Sequence, residues 1–388
     1  MEVLLLVGVL VAAFVGFNIG GSSTGVAFGP AVGSGVVKKL TAAGLMTGFA
    51  LLGGWTVGRN VIETMGGDIV PRTMFTIEAS VAVLFFVGLA LLISNTYGVP
   101  ASTSMTAVGA IAGLGVASGT LNWKVMGQIV IWWLVSPVAA FWVSAVIGRY
   151  FYPYLERWFA VEESEGPLLT SRRAGVIPIP TIPDSTTGRE LVSAALVVII
   201  GCYMAFSAGA SNTANAVAPL VGSGDLEMNT GILLAGGAIG LGAFTIARRT
   251  LDTVGNDLTD LPLLAALIVE VVSASLITFL SAIGIPASLA VSATMSVVGL
   301  GWGRATRSTT MGDAVRGESD AKVSVNALAA EQPDEVPKMG EEDADELVAA
   351  DLFDPSTTAR VVFLWVLTPS VAAAGAYLLF RLLPLYTF

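Results

Sequence analysis

Apolar runs of about 20 residues recur along the whole chain and limit it to a narrow set of folds. A helix needs roughly 20 apolar residues to cross a bilayer, and only helices or closed barrels pair their own backbone polar groups inside one. Of the 388 residues, 54% are hydrophobic and 12% are charged, whereas a soluble domain carries about 25% charged residues. The runs therefore predict an all-α, polytopic protein that crosses the plasma membrane several times.

Ten segments are candidates for membrane helices, and we expect about 10–12 such helices in total. The segments are 3–19, 40–58, 75–97, 102–119, 125–151, 190–207, 229–247, 262–283, 287–302 and 360–383. Two glycine-containing stretches between them, 24–37 and 213–224, are too short to span. They are predicted to be re-entrant or broken helices, which a membrane tolerates where the backbone lines a cavity.

One set of polar motifs occurs twice in the chain. At an offset of 189 residues, Gly29–Gly35 recurs as Ala218–Gly224 and Arg59–Gly66 recurs as Arg248–Gly255. Gly98–Ser102 recurs as Gly284–Ser288 at an offset of 186, and Trp133–Pro137 recurs as Trp365–Pro369 at an offset of 232. Chance similarity between apolar runs would not keep one offset across separate motifs. Duplicated halves with interrupted apolar segments are typical of secondary transporters, so we predict an inverted-repeat transporter.

The jump in offset from 186 to 232 marks an insertion in the second half. Residues 303–358 occupy this position, and between Asp313 and Asp354 they hold thirteen acidic residues against three basic ones. This composition predicts a disordered loop. A second polar stretch, 153–188, contains five prolines and is predicted to be a linker. The first repeat is therefore 1–152, and the second consists of 189–302 and 359–388.

Small polar side chains stand where the predicted half-helices begin. A helix N-terminus has about four unpaired N–H groups and roughly half a positive charge, so it can bind an anion. Each motif alone could equally cap a helix or pack two helices closely, but its presence in both halves favours a binding site. A second pair of helix starts follows Pro100 and Pro286. The candidate binding residues are Ser22, Ser23, Thr24, Ser102, Thr103, Ser211, Asn212, Asn215 and Ser288.

These motifs resemble those of the inorganic phosphate transporter (PiT, or PHO4) family. The family signature is Gly-Ala-Asn-Asp-x-x-Asn-Ala in each half with a following Gly-Ser pair, and Pro-x-Ser-Thr-Thr comes about seventy residues later. Gly209–Gly224 is similar to the second signature, and Gly20–Gly35 is similar, more loosely, to the first. The resemblance covers both halves and implies import of phosphate or sulfate by alternating access.

The signature positions depart from the family pattern. The signature Asp, which serves ion and substrate binding in the sodium-coupled members, falls on Ser23 and Asn212, and its neighbouring Asn falls on Ser22 and Ser211. The pattern at Phe17–Gly20 is more similar to the sulfate permease branch. Protonated phosphate is best bound with a carboxylate acceptor, whereas sulfate suits donors alone. The substitutions lean to sulfate, but Asn can also accept, so phosphate stays open.

Glu270 is the candidate coupling residue, because an acid inside an apolar segment usually has a function or a partner. The coupling ion is expected to be H⁺, with Na⁺ as the alternative. A structural hydrogen bond is an equal alternative for this side chain. In the first half the matching position is Leu84.

Histidine is absent and Cys202 is the only cysteine, which excludes Ser-His-Asp and Cys-His catalysis. We expect no catalytic residue, no metal site and no cofactor, hence a transporter and not an enzyme. The expected partners are the anion and the bilayer, with no nucleic acid, and a homo-oligomer is compatible with the sequence. An anion channel and an intramembrane enzyme acting on lipid phosphate are rival functions, the second disfavoured by the lack of His and of paired carboxylates.

Overall fold

The computed structural model describes residues 2–96, 102–159, 170–174, 177–181, 188–245, 261–308 and 355–386, and most of these residues are helical. The first half holds α1 (Glu2–Gly33), α2 (Lys39–Trp55), α3 (Gly58–Glu63), α4 (Ile77–Thr96), α5 (Thr103–Ser118), α6 (Trp123–Val146) and α7 (Tyr152–Trp158). Two π-helical turns, Thr64–Asp68 and Ile147–Phe151, and a 3-10 turn, Arg72–Met74, connect them.

The second half repeats this order of helices. It holds α8 (Gly188–Ser223), α9 (Met228–Thr245), α10 (Leu263–Ala282), α11 (Leu289–Ala305) with the 3-10 turn Thr306–Ser308, and α12 (Pro355–Leu382). A short antiparallel hairpin of β1 (Thr170–Ala174) and β2 (Ile177–Thr181) lies in the predicted linker. Most of the acidic loop, 309–354, and the motif residues 97–101 and 246–260 lie outside the described residues.

The helical, multi-pass membrane architecture is confirmed, although fewer of the described helices are full spans than the 10–12 predicted. Within the described ranges, six helices are long and apolar enough to cross a membrane, or seven if the bent pair Lys39–Trp55 and Gly58–Asp68 is one span. Part of the difference comes from α5 and α11, which have 16 and 17 residues. At 1.5 Å per residue they are about 24–26 Å long, shorter than the ~30 Å hydrocarbon core.

Reciprocal helix crossings interlock the two halves. α1 packs on α9, and α8 packs on α2. A Cβ atom on Gly20 would lie 1.9 Å from the carbonyl oxygen of Ile239, and one on Gly209 would lie 2.0 Å from that of Ala50. Both residues of the second contact are related to those of the first by the offset of 189 residues. The first half therefore contacts the second half in the same way as the second contacts the first. The pairs of α5 with α12 and α11 with α6 follow the same rule, which supports the division of the chain into two repeats.

The helices are interrupted at different places from those predicted. α1 and α8 run unbroken to Gly33 and Ser223, so 24–37 and 213–224 are not separate half-helices. Hydroxyls in these stretches bond back to their own helix, as Thr24 Oγ1 does to the carbonyl oxygen of Gly20 at 2.7 Å, an arrangement compatible with a continuous helix. The glycines allow close helix crossing. The interruptions lie instead at the 61° bend between α2 and α3 and at the starts of the short helices α5 and α11.

Candidate functional site

A cavity lies where the first turns of α5 and α11 meet α1 and α8. Its volume is about 80 Å³, several times the ~10–15 Å³ that one water needs. None of its lining residues carries a charge, and seven of the eleven are Ser, Thr or Asn. The lining consists of Asn18, Ser22, Ser23, Val26, Leu91, Thr103, Ser104, Asn212, Ser288, Leu289 and Ala290.

Two helix N-termini, one from each half, reach this cavity. Ser102 is the N-cap of α5 and Ser288 is the N-cap of α11, and each Oγ accepts from the amide three residues later, at 3.4 Å from Met105 N and 3.3 Å from Val291 N. The first amides of a helix have no partner within it. The residues that carry the remaining first amides, 103–104 and 289–290, line the cavity. Two positive helix ends therefore converge on one space.

A buried hydrogen-bond network fixes the first turn of α5 against α8. Asn215 Nδ2 donates to Ser104 Oγ at 3.1 Å and to Asn212 Oδ1 at 3.0 Å, and Ser104 Oγ lies 3.3 Å from Ser211 Oγ. Because Asn212 Oδ1 accepts this bond, the orientation of its amide is set. Asn215 Oδ1 is buried and has no hydrogen-bond partner among the described residues.

The turn that leads into α11 is held by two direct contacts. Ser211 Oγ donates to the carbonyl oxygen of Ala287 at 2.8 Å, and Trp133 Nε1 donates to that of Pro286 at 2.8 Å. Ser211 therefore contacts the starts of both short helices. Its role is to position the residues around the cavity, because it does not line the cavity itself.

The α1 wall contributes Asn18, Ser22 and Ser23. Ser22 Oγ donates to the carbonyl oxygen of Asn18 at 3.2 Å or of Ile19 at 3.1 Å. Ser23 is partly exposed and faces Asn212 of the other half across the same cavity. These two positions, where the family signature has Asp, are thus brought together.

Five of the nine predicted binding residues line the cavity: Ser22, Ser23, Thr103, Asn212 and Ser288. Four do not: Ser102 caps a helix, Ser211 and Asn215 support the lining, and the Thr24 hydroxyl is used within α1. The prediction omitted Asn18, which lies one turn before Ser22 and follows from the periodicity of an unbroken α1. It also omitted Ser104, Leu289 and Ala290, the last two because an apolar side chain gives no signal for an anion site.

Glu270 lies on α10, away from the cavity lining. It is 4% exposed, and its Oε1 has no hydrogen-bond partner among the described residues. Among all the described residues there is no group of three or more His, Cys, Asp or Glu side chains that could hold a metal ion.

Comparisons with known proteins agree with this architecture. The model of the phosphate transporter family, PHO4, matches residues 19–376. Sulfate permease CysP of Bacillus subtilis is 30% identical over 297 residues, which cover 76% of this chain and 77% of that protein. A putative phosphate permease of Pyrococcus furiosus is 24% identical over 363 residues, covering 78% and 88%.

The solved structure of a sodium-dependent phosphate transporter has the same fold. It aligns with a TM-score of 0.63 at 19% identity and covers 99% of this chain and 100% of that one. The family match spans both halves, the cavity and the helices that build it. The chain therefore belongs to the phosphate transporter (PHO4) family and is a multi-pass membrane permease, not an enzyme.

Proposed function

We propose that this permease imports a tetrahedral inorganic oxyanion through the cavity at the starts of α5 and α11. The observation that carries the proposal is the convergence of two helix N-termini, one from each half, on a space whose lining includes seven Ser, Thr and Asn residues and no charged one. Each N-terminus supplies roughly half a positive charge. The pair stabilises an anion without a cationic side chain, so release requires no ion pair to break.

The chemistry of the lining favours sulfate. At the two signature positions the side chains are Ser23 and Asn212, which place no carboxylate beside the anion. A fully ionised sulfate accepts hydrogen bonds at all its oxygens and needs donors only. Phosphate at neutral pH also carries a proton that requires an acceptor. The 30% identity to a sulfate permease supports the same substrate.

Cation-coupled phosphate import is the second candidate, and a specific atom favours it. Asn215 Oδ1 is a buried acceptor behind the cavity without a partner in the described part of the chain. A proton donor such as monohydrogen phosphate, or a sodium ion, would satisfy it. The fold shared with a sodium-dependent phosphate transporter is compatible with this alternative.

Alternating access is the mechanism that an inverted repeat supports. Equivalent positions of both halves line the cavity: Ser23 with Asn212, Thr103 with Leu289 and Ser104 with Ala290. Two halves that contact each other reciprocally can exchange conformations about such a site and open it to either side in turn.

Import of an anion also requires a coupled cation. An inside-negative potential opposes each negative charge by about 2.3 kcal/mol per 100 mV, so a co-transported cation lowers the cost of sulfate entry. We propose H⁺ as the coupling ion, with Glu270 as its carrier, because this carboxyl group is buried within a membrane helix and its Oε1 is unpartnered in the described residues.

The deciding experiment is uptake of labelled sulfate and phosphate by the full-length protein in proteoliposomes. A pH gradient at constant sodium and a sodium gradient at constant pH are imposed in turn, with unlabelled anions as competitors. We expect saturable sulfate uptake driven by the pH gradient. Empty liposomes and Asn212→Leu are the controls.

Each other outcome points to a different function. Phosphate uptake driven only by sodium would establish the second candidate. Fast flux that follows the anion gradient alone would identify a channel. A protein that is folded and transports neither anion would contradict the proposal.

A further inference from the structure

A row of buried polar side chains leads away from the cavity between α10, α11 and α6. On α11 the row starts at the cavity with Ser288 and continues through Ser292 and Ser296, four and eight residues later. Ser273 Oγ on α10 lies 3.4 Å from Ser296 Oγ. Glu270 is three residues from Ser273 on the same helix, and all these side chains are buried.

The row contains polar atoms that the packing leaves without partners. The Oγ of Ser292, the Oε1 of Glu270 and the Oγ of Ser144 on α6 are buried and make no hydrogen bond within the described residues. Such atoms are costly in a protein interior and call for an explanation. Members three or four residues apart on one helix have Cβ atoms roughly 5–6 Å apart, a spacing that hydroxyls span directly or through one bridging water.

The corresponding row in the other half is apolar. At the equivalent positions Glu270 is replaced by Leu84, Ser273 by Val87, Ser296 by Ala110 and Ser144 by Ala376, all fully buried. Thr106, the equivalent of Ser292, uses its hydroxyl within α5 by donating to the carbonyl oxygen of Ser102 at 2.9 Å. Helix packing at these places therefore does not require polar side chains, and the row is a property of one half alone.

We propose that this row conducts a proton between Glu270 and the anion cavity, an inference that rests on the proposed transport function. The Glu270 carboxyl group cycles between acid and carboxylate. When it releases its proton, the O–H bond of the acid breaks and the proton binds Ser273 Oγ, while the original hydroxyl proton of Ser273 passes to Ser296 and on through Ser292 to the cavity. The carboxylate then takes up a proton from bulk water, which completes the cycle.

Other ionisable groups on the neighbouring elements lie outside this row. Among the residues whose side chains are described, those on the helices packed against α10 are Arg304, Lys124, Arg59, Glu63, Cys202 and Tyr203, and those on the adjoining α7 are Tyr152, Tyr154, Glu156 and Arg157. Tyr203 donates its hydroxyl to Ser275 Oγ at 3.3 Å, and Arg59 donates to Asn229 Oδ1 at 2.6 Å. Tyr152 packs with Val269 and Val272 beside the row.

The test separates proton movement from anion movement in proteoliposomes. Net sulfate uptake under a pH gradient is followed together with proton influx by a trapped pH dye. Exchange of labelled internal sulfate for unlabelled external sulfate is measured at equal pH, because exchange requires no net proton transfer. The variants are Glu270→Gln, Ser273→Ala and Ser296→Ala. Ser80→Ala is the matched control, since Ser80 is equally buried on α4 but bonds the carbonyl oxygen of Pro219.

We expect Glu270→Gln to lower net uptake by about 100-fold, within the range that a positioned proton-transfer group contributes, while exchange stays near wild type. The two serine-to-alanine variants should likewise lose net uptake and keep exchange. Ser273→Thr should keep net uptake because it retains the hydroxyl, and the control should behave as wild type. Equal loss of exchange and net uptake would mean a structural role and overturn the proposal. Sulfate influx without proton influx in the wild type would overturn the proton row alone, whereas no anion flux at all would overturn the proposed function as well.

Discussion

Leu289→Pro tests whether a backbone amide at the start of α11 binds the anion. Leu289 is the first helical residue, and its N–H has no intrahelical partner. Proline at this position removes the N–H but keeps the helix, because its φ suits the first turn. Ser288 is already extended, at φ −95° and ψ 115°, as the residue before a proline should be. A hydrogen bond to a charged group contributes about 1.5–3 kcal/mol, so anion affinity should fall roughly 10- to 100-fold.

The assay is equilibrium binding of labelled sulfate and phosphate to the purified protein, together with the KM of uptake in proteoliposomes. Leu289→Ala is the matched control, because it removes the same buried side chain and keeps the amide. We expect the alanine variant to bind as wild type does. Equal affinities in the proline and alanine variants, with both proteins folded, would refute the role of this amide.

Three further predictions concern residues of α1 and α8. Ser23→Leu or Asn212→Leu should abolish transport in a folded protein, because each places an apolar side chain in the cavity from opposite sides; normal transport by both would place the site elsewhere. Gly209→Ala should lower Tm sharply, since its Cβ would lie 2.0 Å from a carbonyl oxygen and overpacking costs about 1–3 kcal/mol or more, whereas Gly48→Ala, in open space on α2, should not. Thr24→Val should transport normally and lose at most about 1 kcal/mol of unfolding free energy, because its hydroxyl serves only Gly20; a loss of anion affinity would show that this hydroxyl reaches the ligand.

The helical architecture could be predicted because apolar run length and repeat offset can both be read from the sequence without knowledge of tertiary packing. A run of about 20 apolar residues has few alternatives to a membrane helix, and the offset of 189 residues correctly pairs the crossings at Gly20 and Gly209. The helix starts after Pro100 and Pro286 could also be predicted, because a proline followed by hydroxyl residues marks a helix start irrespective of tertiary packing. Ser102 and Ser288, which are predicted as binding residues, are the N-caps of these helices.

The continuity of α1 and α8 could not be predicted in the same way. A Gly-Gly-Ser-Ser-Thr-Gly stretch is a poor helix former by intrinsic propensity, and it predicts a break when tertiary contacts are unknown. In the structure a neighbouring helix lies directly against Gly20 and Gly209, and hydroxyls bond to their own helix. Packing thus overrides propensity, and the proposed anion site lies at the starts of α5 and α11, with Ser22, Ser23 and Asn212 on its wall.

The proposed site draws residues from both halves, whereas the proposed proton row belongs to one half alone. Anion binding by itself gives a transporter no net direction, because direction comes from the gradient of the coupled ion. Coupling therefore needs a group that binds that ion in addition to the anion site. Glu270 with Ser273 and Ser296 is such a group in this proposal, and Leu84, Val87 and Ala110 replace it in the first half. Under the proposal, residues at the starts of both short helices bind the anion, and the unduplicated ones couple its transport to the ion gradient.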